Sequence, residues 1–270
     1  MMNSKKFFRL CLCVSALLAF SAAPGLAHFQ MIYTPESALE KGGTVALEMV
    51  FTHPFEAGHT MDMGTPQQFF VVNKGKKTNL LESMKPIMWT SLTNTGKGYE
   101  SSYRLKGMGD FVFCLAPAVY FEESEGAYMQ QFTKMIVNVA GLPTDWDSLA
   151  GLPAEILPLA KPYGLWTGNI FSGVVCCNGE PVPFAEVEVE YLNHLPNQEK
   201  DAFEKEAALE APQDCFITQT IKADANGTFV YALPKAGWWG FAALGVGPET
   251  EYKGKELSQD AVIWVQVRDM

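Results

Sequence analysis

Residues 44–52 read Thr-Val-Ala-Leu-Glu-Met-Val-Phe-Thr, and this stretch decides the fold class. Large apolar side chains occupy positions 45, 47, 49 and 51, so they share one face of an extended strand. Similar segments follow at Phe69–Val72, Ser101–Leu105, Phe111–Leu115 and Met135–Val139. Short strands separated by Gly, Asn and Pro, with little helical periodicity, are typical of β-sandwiches. We therefore expect an all-β protein.

The second half of the chain repeats this pattern. Ile170–Cys177 and Ala185–Tyr191 flank an Asn178-Gly179 turn and predict a hairpin with one wet face. Further strands are expected at Phe216–Ala223, Thr228–Leu233, Trp238–Ala243 and Ala261–Val267. The charged insertion 197–212, rich in Glu, Lys and Ala, predicts a short exposed helix.

Composition suggests where the chain divides. Residues 141–168 contain four prolines and two Gly-Leu-Pro repeats, which are unsuited to a regular strand ladder. We interpret them as an ordered connector between an N-terminal β-sandwich, residues 28–140, and a C-terminal β-sandwich, residues 169–270. Both are expected to be antiparallel.

The first 27 residues are typical of a secretion signal. Lys5, Lys6 and Arg9 precede an apolar stretch, and Gly25-Leu26-Ala27 offers a small-residue cleavage site. The apolar stretch is shorter than the ~20 residues that a membrane-spanning helix needs. We expect cleavage after Ala27, a periplasmic location and no transmembrane segment in the mature chain.

The net charge limits the possible binding partners, and the cysteine content limits the possible disulfide bonds. Removing three basic residues with the signal changes the formal charge from −10 to −13. A strongly acidic protein repels nucleic acid, so nucleic-acid partners are set aside. Cys114, Cys176, Cys177 and Cys215 remain in a compartment that permits disulfides. Either Cys176 or Cys177 pairs with Cys215, or the thiols are unpaired; the sequence leaves both possibilities open.

Three of the four histidines, His28, His53 and His59, fall within the first 32 residues after the cleavage site. Cleavage would give His28 an α-amine beside its imidazole, and the two nitrogens can chelate one metal ion. Their ordinary pKa values of ~8 and ~6.5 mean little proton competition near neutral pH. Imidazole nitrogen suits nickel, cobalt, copper and zinc.

Two methionines close to His59 in the sequence are possible softer metal ligands. His53 ends the Thr44–Thr52 strand, and Met61 and Met63 come soon after His59. Convergence at the strand end would make His28, His53 and His59 a metal site with a thioether from Met61 or Met63. The alternative is that His53 is a hydrogen-bonded loop residue and that both methionines fill the core.

Other possible sites have simpler interpretations. Glu122, Glu123 and Glu125 are interpreted as a solvated loop, although such a cluster attracts hard cations. Asp224 to Gly227 is interpreted as a hairpin turn and His194 as structural. The chain has no G-x-S-x-G elbow, no H-E-x-x-H motif and no phosphate-binding glycine loop, so we expect a protein that is not an enzyme.

The order of several short motifs resembles the DUF4198 family, whose members are described as periplasmic components of cobalt or nickel uptake systems related to NikM-type proteins. The matching segments are His28-Phe-Gln-Met31, His53-Pro54, Met61-Asp-Met63 with Pro66, Gln131-Phe-Thr-Lys134, Glu155-Ile-Leu-Pro158, Phe171-Ser-Gly173, Gly179-Glu-Pro-Val-Pro183, Val187-Glu-Val-Glu-Tyr191, and Asp224-Ala-Asn-Gly-Thr-Phe229 with Gly237-Trp-Trp-Gly-Phe241. The last of these is similar to a transthyretin-like, Ig-like module.

The resemblance implies two β-domains and delivery of Ni²⁺ or Co²⁺ to a membrane uptake transporter, with His28, His53 and His59 as candidate ligands. Copper is the alternative metal, because an N-terminal His with a second His and a nearby Met suits Cu²⁺, which heads the affinity order. A different class of protein is also compatible with the sequence. In a carbohydrate-binding or envelope-adhesion sandwich, Trp238-Trp239 and the tyrosines would form the site.

Overall fold

The computed structural model describes residues 28–270, and the expected signal peptide, residues 1–27, lies outside the described residues. The first half of the described chain forms eleven β-strands and one 3-10 helix. They are β1 (Phe29–Tyr33), β2 (Ala38–Leu39), β3 (Thr44–Thr52), β4 (Thr60–Met61), β5 (Gln68–Asn73), β6 (Lys76–Asn79), the 3-10 helix Leu81–Ser83, β7 (Lys85–Thr90), β8 (Thr95–Arg104), β9 (Gly109–Ala116), β10 (Tyr120–Glu122) and β11 (Ala127–Val139).

The second half adds twelve strands and another 3-10 helix. They are β12 (Ala154–Pro158), β13 (Leu165–Trp166), β14 (Ile170–Cys177), β15 (Glu180–Pro181), β16 (Glu186–Tyr191), β17 (His194–Asn197), β18 (Ala202–Ala207), the 3-10 helix Asp214–Phe216, β19 (Thr218–Lys222), β20 (Thr228–Ala232), β21 (Gly237–Ala243), β22 (Glu251–Tyr252) and β23 (Lys255–Arg268). Residues 28–270 contain no α-helix, so the prediction of an all-β fold is confirmed.

The strands form three sheets. A twelve-stranded sheet has the order β19-β16-β21-β23-β11-β9-β5-β6, with β2, β10, β13 and β22 attached beside this path. A seven-stranded sheet has the order β1-β3-β8-β7-β18-β17, with β4 paired to β3. A four-stranded sheet contains β12, β14, β15 and β20.

Alternating side chains of the twelve-stranded sheet enter two separate cores. In β5, Phe69 and Val71 pack in a cluster with the seven-stranded sheet, whereas Phe70 and Val72 pack in a cluster with the four-stranded sheet. This alternation follows from the two-residue period of a strand, and it makes both faces of the large sheet buried. The large sheet is therefore the central layer, covered by a smaller sheet on each side.

The two halves of the chain are joined through the central sheet. Strand β23 pairs in parallel with β11, with Tyr128 opposite Leu257 and Met135 opposite Trp264. Most other pairings are antiparallel, as expected. The division into domains 28–140 and 169–270 stays a prediction, since both halves share this sheet.

Two local predictions are wrong. After the Asn178-Gly179 turn, where both residues have positive φ (48° and 87°), β14 pairs with the short β15 rather than with β16. Strand β16 lies in the central sheet between β19 and β21. The helix expected in the insertion is also absent, because Phe203 gives β18 a buried position that packs on Trp89 with ring centroids 5.2 Å apart. In β18 the burial of Phe203 outweighs the helix-favouring composition of the segment.

The four cysteines of the described chain are free thiols. Cys114 and Cys176 are buried, Cys177 is half-buried and Cys215 is exposed. The bridge from Cys176 or Cys177 to Cys215 is not formed. Among residues 28–270 no helix has the length and apolar character needed to cross a membrane.

Candidate metal-binding site

The register of the first two long strands brings two histidines together. Strand β1 pairs antiparallel with β3, and Phe29 lies opposite Thr52. His28 immediately precedes β1 and His53 immediately follows β3, so they form the next pair beyond the last ladder residues. Their ring centroids are 4.5 Å apart, with the rings tilted by 51°. Two of the three predicted histidines therefore converge.

The His28 imidazole is held neutral. Burial, followed by the neighbouring His53, lowers the pKa of His28 to about 4, and His59 adds a smaller effect in the same direction. The carboxylate of Glu122 opposes this shift without cancelling it. The 3.2 Å contact between His28 Nε2 and Glu122 Oε2 is therefore a hydrogen bond from a neutral ring at neutral pH, rather than an ion pair.

Glu122 is placed by the tight β10–β11 hairpin. Its Oε1 accepts hydrogen bonds from the backbone N of Ser124 at 3.0 Å and from Ser124 Oγ at 2.6 Å, which leaves Oε2 for His28. Burial alone would raise the pKa of Glu122, but the Ser124 hydrogen bonds and His28 outweigh it, so the pKa is lowered. A fixed, ionised carboxylate thus orients the His28 ring.

His53 belongs to a closed loop. Its carbonyl oxygen accepts a hydrogen bond from the Gly58 N at 3.2 Å, and only 5% of the residue is exposed. A Cβ at position 58 would lie 3.3 Å from the His53 Cβ and 3.6 Å from the ring, so the glycine leaves space for the imidazole. The adjacent Phe55 N donates to Glu190 Oε1 of β16, which anchors the loop to the C-terminal half.

His59 and the two methionines occupy different environments. His59 is exposed and close enough to affect the pKa of His28. Met61 is fully buried and belongs to the core beneath the seven-stranded sheet. Met63 is 4% exposed, and its Sδ accepts a hydrogen bond from Gln30 Nε2 at 3.5 Å. Both methionines are thus built into the interior.

A small polar cavity lies beside this cluster. Its volume is about 10 Å³, room for a single water molecule, and its walls include Gln30, Phe51, Met63, Tyr120 and Gln131. The Phe51 ring is also 5.8 Å from the His28 ring, centroid to centroid. Of the two candidate methionines, Met63 therefore borders this space and Met61 does not.

Gln131 fixes the backbone at His28. Its Nε2 donates to the His28 carbonyl oxygen at 2.7 Å, and its Oε1 accepts from the Gln30 N at 2.7 Å. The same Nε2 lies 3.1 Å from Asp260 Oδ2 of β23, and all of these groups are buried or half-buried. Strand β23, from the far end of the chain, thus helps to hold the start of β1 in place.

Within residues 28–270, no three His, Cys, Asp or Glu side chains are arranged to hold one metal ion together. The structure brings together His28, His53 and Glu122, with His59 nearby. Sequence reasoning missed Glu122 by treating the acidic triplet as a solvated loop. It also missed the role of Gln131, for which only the Gln131-Phe-Thr-Lys134 motif gave a signal.

The remaining candidates are structural. His194 is buried, and its Nδ1 is 3.0 Å from the Glu204 carbonyl oxygen. The Asp224 side chain accepts hydrogen bonds from the backbone N of Asn226 and Thr228, as a hairpin turn requires. Trp238 and Trp239 are 3% and 4% exposed, so the pair does not form an exposed aromatic platform.

Family comparison places the chain in a known class. Residues 25–247 match the model of DUF4198, a domain of unknown function, and the protein belongs to this family. The family model covers the candidate site and most of the central sheet. No curated protein matches the chain.

Solved structures show only distant likenesses. The D0-D1 domain of intimin is 12% identical over 89% of this chain and 100% of that one, with a TM-score of 0.22. Native Escherichia coli alpha-2-macroglobulin is 11% identical over 92% of this chain and 14% of that one, with a TM-score of 0.22. Latent PorU from Porphyromonas gingivalis is 8% identical over 88% and 20%, respectively, also with a TM-score of 0.22. Scores this low carry no argument about function.

Proposed function

We propose that this protein is a periplasmic, non-enzymatic binding protein that captures a divalent transition metal, Ni²⁺ or Co²⁺, and delivers it to a membrane uptake transporter. The observation that carries the proposal is the contact of His28 with both His53 and Glu122. The family resemblance, together with the acidic charge that concentrates cations, supports the same function.

The tautomer of His28 favours a chelate. Because Nε2 donates its proton to Glu122, the lone pair is left on Nδ1, the ring nitrogen nearer the backbone. Cleavage after Ala27 would supply an α-amine on the same residue, and the amine and Nδ1 can bind one cation. A carboxylate that accepts the other ring N–H is a common supporting partner of metal-binding histidines. Glu122 would therefore orient His28 rather than bind the metal.

His53 would add a third nitrogen from the neighbouring strand end. The low pKa of His28 means that its ring does not have to lose a proton before binding metal at neutral pH. Exposed His59, on the same loop, is suited to receiving or releasing the ion. Exchange at an exposed ligand is what a carrier needs when it passes its cargo to a partner.

The first experiment identifies the ligand nitrogens. The processed protein is purified, His28 is confirmed as the first residue by mass spectrometry, and Ni²⁺, Co²⁺, Cu²⁺ and Zn²⁺ are titrated by calorimetry. A variant with one additional N-terminal alanine should bind at least tenfold more weakly, a loss of about 1.4 kcal/mol. Equal affinity in this variant would exclude the amine chelate, and no binding tighter than ~0.1 mM would exclude metal transport.

A matched pair of variants tests the role of Glu122. Glu122→Gln should weaken metal binding by about 10- to 100-fold, because the hydrogen bond that fixes the His28 tautomer loses its charged acceptor. Glu123→Gln removes the same charge from the neighbouring, exposed residue and should leave the affinity nearly unchanged. Equal losses in both variants would show that only the general negative field matters.

Copper is the second candidate, and the position of Met63 is the observation that favours it. Its thioether lies beside the small cavity next to Phe51 and is a soft ligand suited to Cu(I). Met63→Leu should weaken Cu(I) binding and leave Ni²⁺ binding unchanged if copper is the cargo. The fully buried Met61, changed to Leu in the same way, provides the control.

A further inference from the structure

A second cavity, which no histidine lines, lies against the C-terminal part of the central sheet. It has a volume of about 180 Å³ and lies between β16, β19 and β21 on one side and the 209–217 segment on the other. Its lining includes Phe55, Tyr191, Phe216, Ile217 and Trp239. For comparison, an apolar cavity of ~150 Å³ is large enough to bind benzene. The space is therefore of the right size for one small aromatic group.

Three polar side-chain atoms of the cavity walls are already engaged in hydrogen bonds. Tyr191 Oη donates to the Ala236 carbonyl at 2.8 Å, and Trp239 Nε1 donates to the Lys235 carbonyl at 2.9 Å. Gln219 Oε1 accepts from Tyr231 Oη at 2.9 Å. The two aromatic residues thus offer ring surface rather than unused donors, which disfavours a sugar with many hydroxyl groups.

The mouth of the cavity is apolar and held in place. Asn193 clamps Leu209, accepting from its backbone N at 2.7 Å and donating to its carbonyl oxygen at 3.0 Å. Leu209 and Phe216 are 39% and 52% exposed, so large apolar side chains face solvent at the entrance. Glu210 adds a carboxylate to the lining, which disfavours anionic ligands.

We propose that this cavity binds one flat, uncharged aromatic group, of one ring or two fused rings, carried by a free small molecule. Stacked or edge-on contacts with Tyr191 and Trp239, whose own ring centroids are 5.0 Å apart, would supply the attraction. The proposal is independent of metal binding, because none of the histidines lines this cavity.

The test uses the whole processed chain and indole as the probe. Calorimetry should show saturable binding with a Kd of about 0.2 mM, a value ordinary for a ligand of this size. Ala211→Phe places a ring in the cavity lining and should weaken binding at least tenfold. Ala232→Phe, on the exposed face of β20, adds the same ring elsewhere and should leave the Kd unchanged.

Three results would overturn the proposal. They are the absence of saturation up to about 5 mM indole, equal Kd values in the two folded variants, and at least tenfold tighter binding of an end-blocked Gly-Trp-Gly peptide than of indole. The last result would assign the cavity to a side chain of a partner protein. Circular dichroism checks that each variant is folded, and Ala211→Leu replaces Ala211→Phe if the latter does not fold.

Discussion

Glu48 allows a pH-dependent stability prediction that is independent of metal binding. This carboxyl group lies on β3, is 3% exposed, and its Oε2 makes no hydrogen bond. Burial, followed by the charge of Asp201 and then that of Glu100, raises the pKa of Glu48 to about 8, although Gln198 opposes the shift. The folded protein therefore favours the protonated form. Ionisation of Glu48 should destabilise the fold increasingly as the pH rises from 4.5 to about 8.

The size of this effect follows from the shift. A pKa raised from 4.5 to about 8 corresponds to an upper limit of about 5 kcal/mol. Local relaxation and solvent screening reduce such values, so we expect Glu48→Gln to gain ~2 kcal/mol of stability over the wild type between pH 5 and pH 9. In a chain of this length, a change of that size corresponds to about 4–8 °C in the unfolding temperature.

The assay is thermal and urea unfolding of both proteins at pH 5, 7 and 9. Glu206→Gln provides a control, because Glu206 is an exposed strand residue and is not among the charges that shift the pKa of Glu48. It should change stability by less than about 0.5 kcal/mol at every pH. A difference between Glu48→Gln and the wild type that is the same at pH 5 and pH 9 would refute the reasoning, since it would show that Glu48 does not ionise in the fold over this range.

Three further predictions concern the core and the site. Lys134→Met should destabilise the fold by ~3–5 kcal/mol, because it removes one partner of a buried ion pair and leaves the Glu155 side chain without the Nζ 3.1 Å away. Lys222→Met, which breaks an exposed pair, should cost below ~1 kcal/mol. Similar losses of the two variants in urea unfolding would contradict the argument. Gly237→Ala should lower the stability of the fold by ~3 kcal/mol, because a Cβ there would lie 2.6 Å from the Tyr191 ring at a backbone φ of 131°. Gly43→Ala is the control, because a Cβ at position 43 meets nothing within 4 Å. A thermal midpoint lowered equally in both variants would count against this steric explanation. Gln131→Met should weaken metal binding about tenfold, because it releases the backbone of His28. Calorimetry measures the affinity, with Gln130→Met as the control. A Gln131→Met protein that binds metal like the wild type would show that Gln131 does not support the site.

Local patterns were sufficient for much of the fold. The alternation in residues 44–52 predicted β3 with its observed bounds, because Val45, Leu47, Met49 and Phe51 all pack in the core. The composition of Ala202–Ala207 favours a helix, and the prediction there was wrong because Phe203 occupies a buried strand position. The pairing of β23 with β11 has no local signal, because both strands are buried on both faces and lie far apart in sequence.

The sequence likewise predicted part of the candidate site. The concentration of histidines near position 28 pointed to the right region, and the β1–β3 register explains why His28 and His53 meet. Glu122 could not be assigned from sequence, because its proximity to His28 depends on how the β10–β11 hairpin folds over β1. Burial of Met61 and Met63 is likewise a tertiary property. The ligand roles of His28, His53, His59, Met61 and Met63 stay predictions.

The position of β23 constrains the order in which the chain can fold. This strand separates β21 from β11 in the central sheet, and the Gln131–Asp260 hydrogen bond spans 129 residues. Until residues 255–268 have emerged, β11 lacks its parallel neighbour and exposes an edge with apolar side chains on both faces. While this edge is unpaired, the N-terminal half is aggregation-prone, and a holding chaperone would be of most use until β23 is in place.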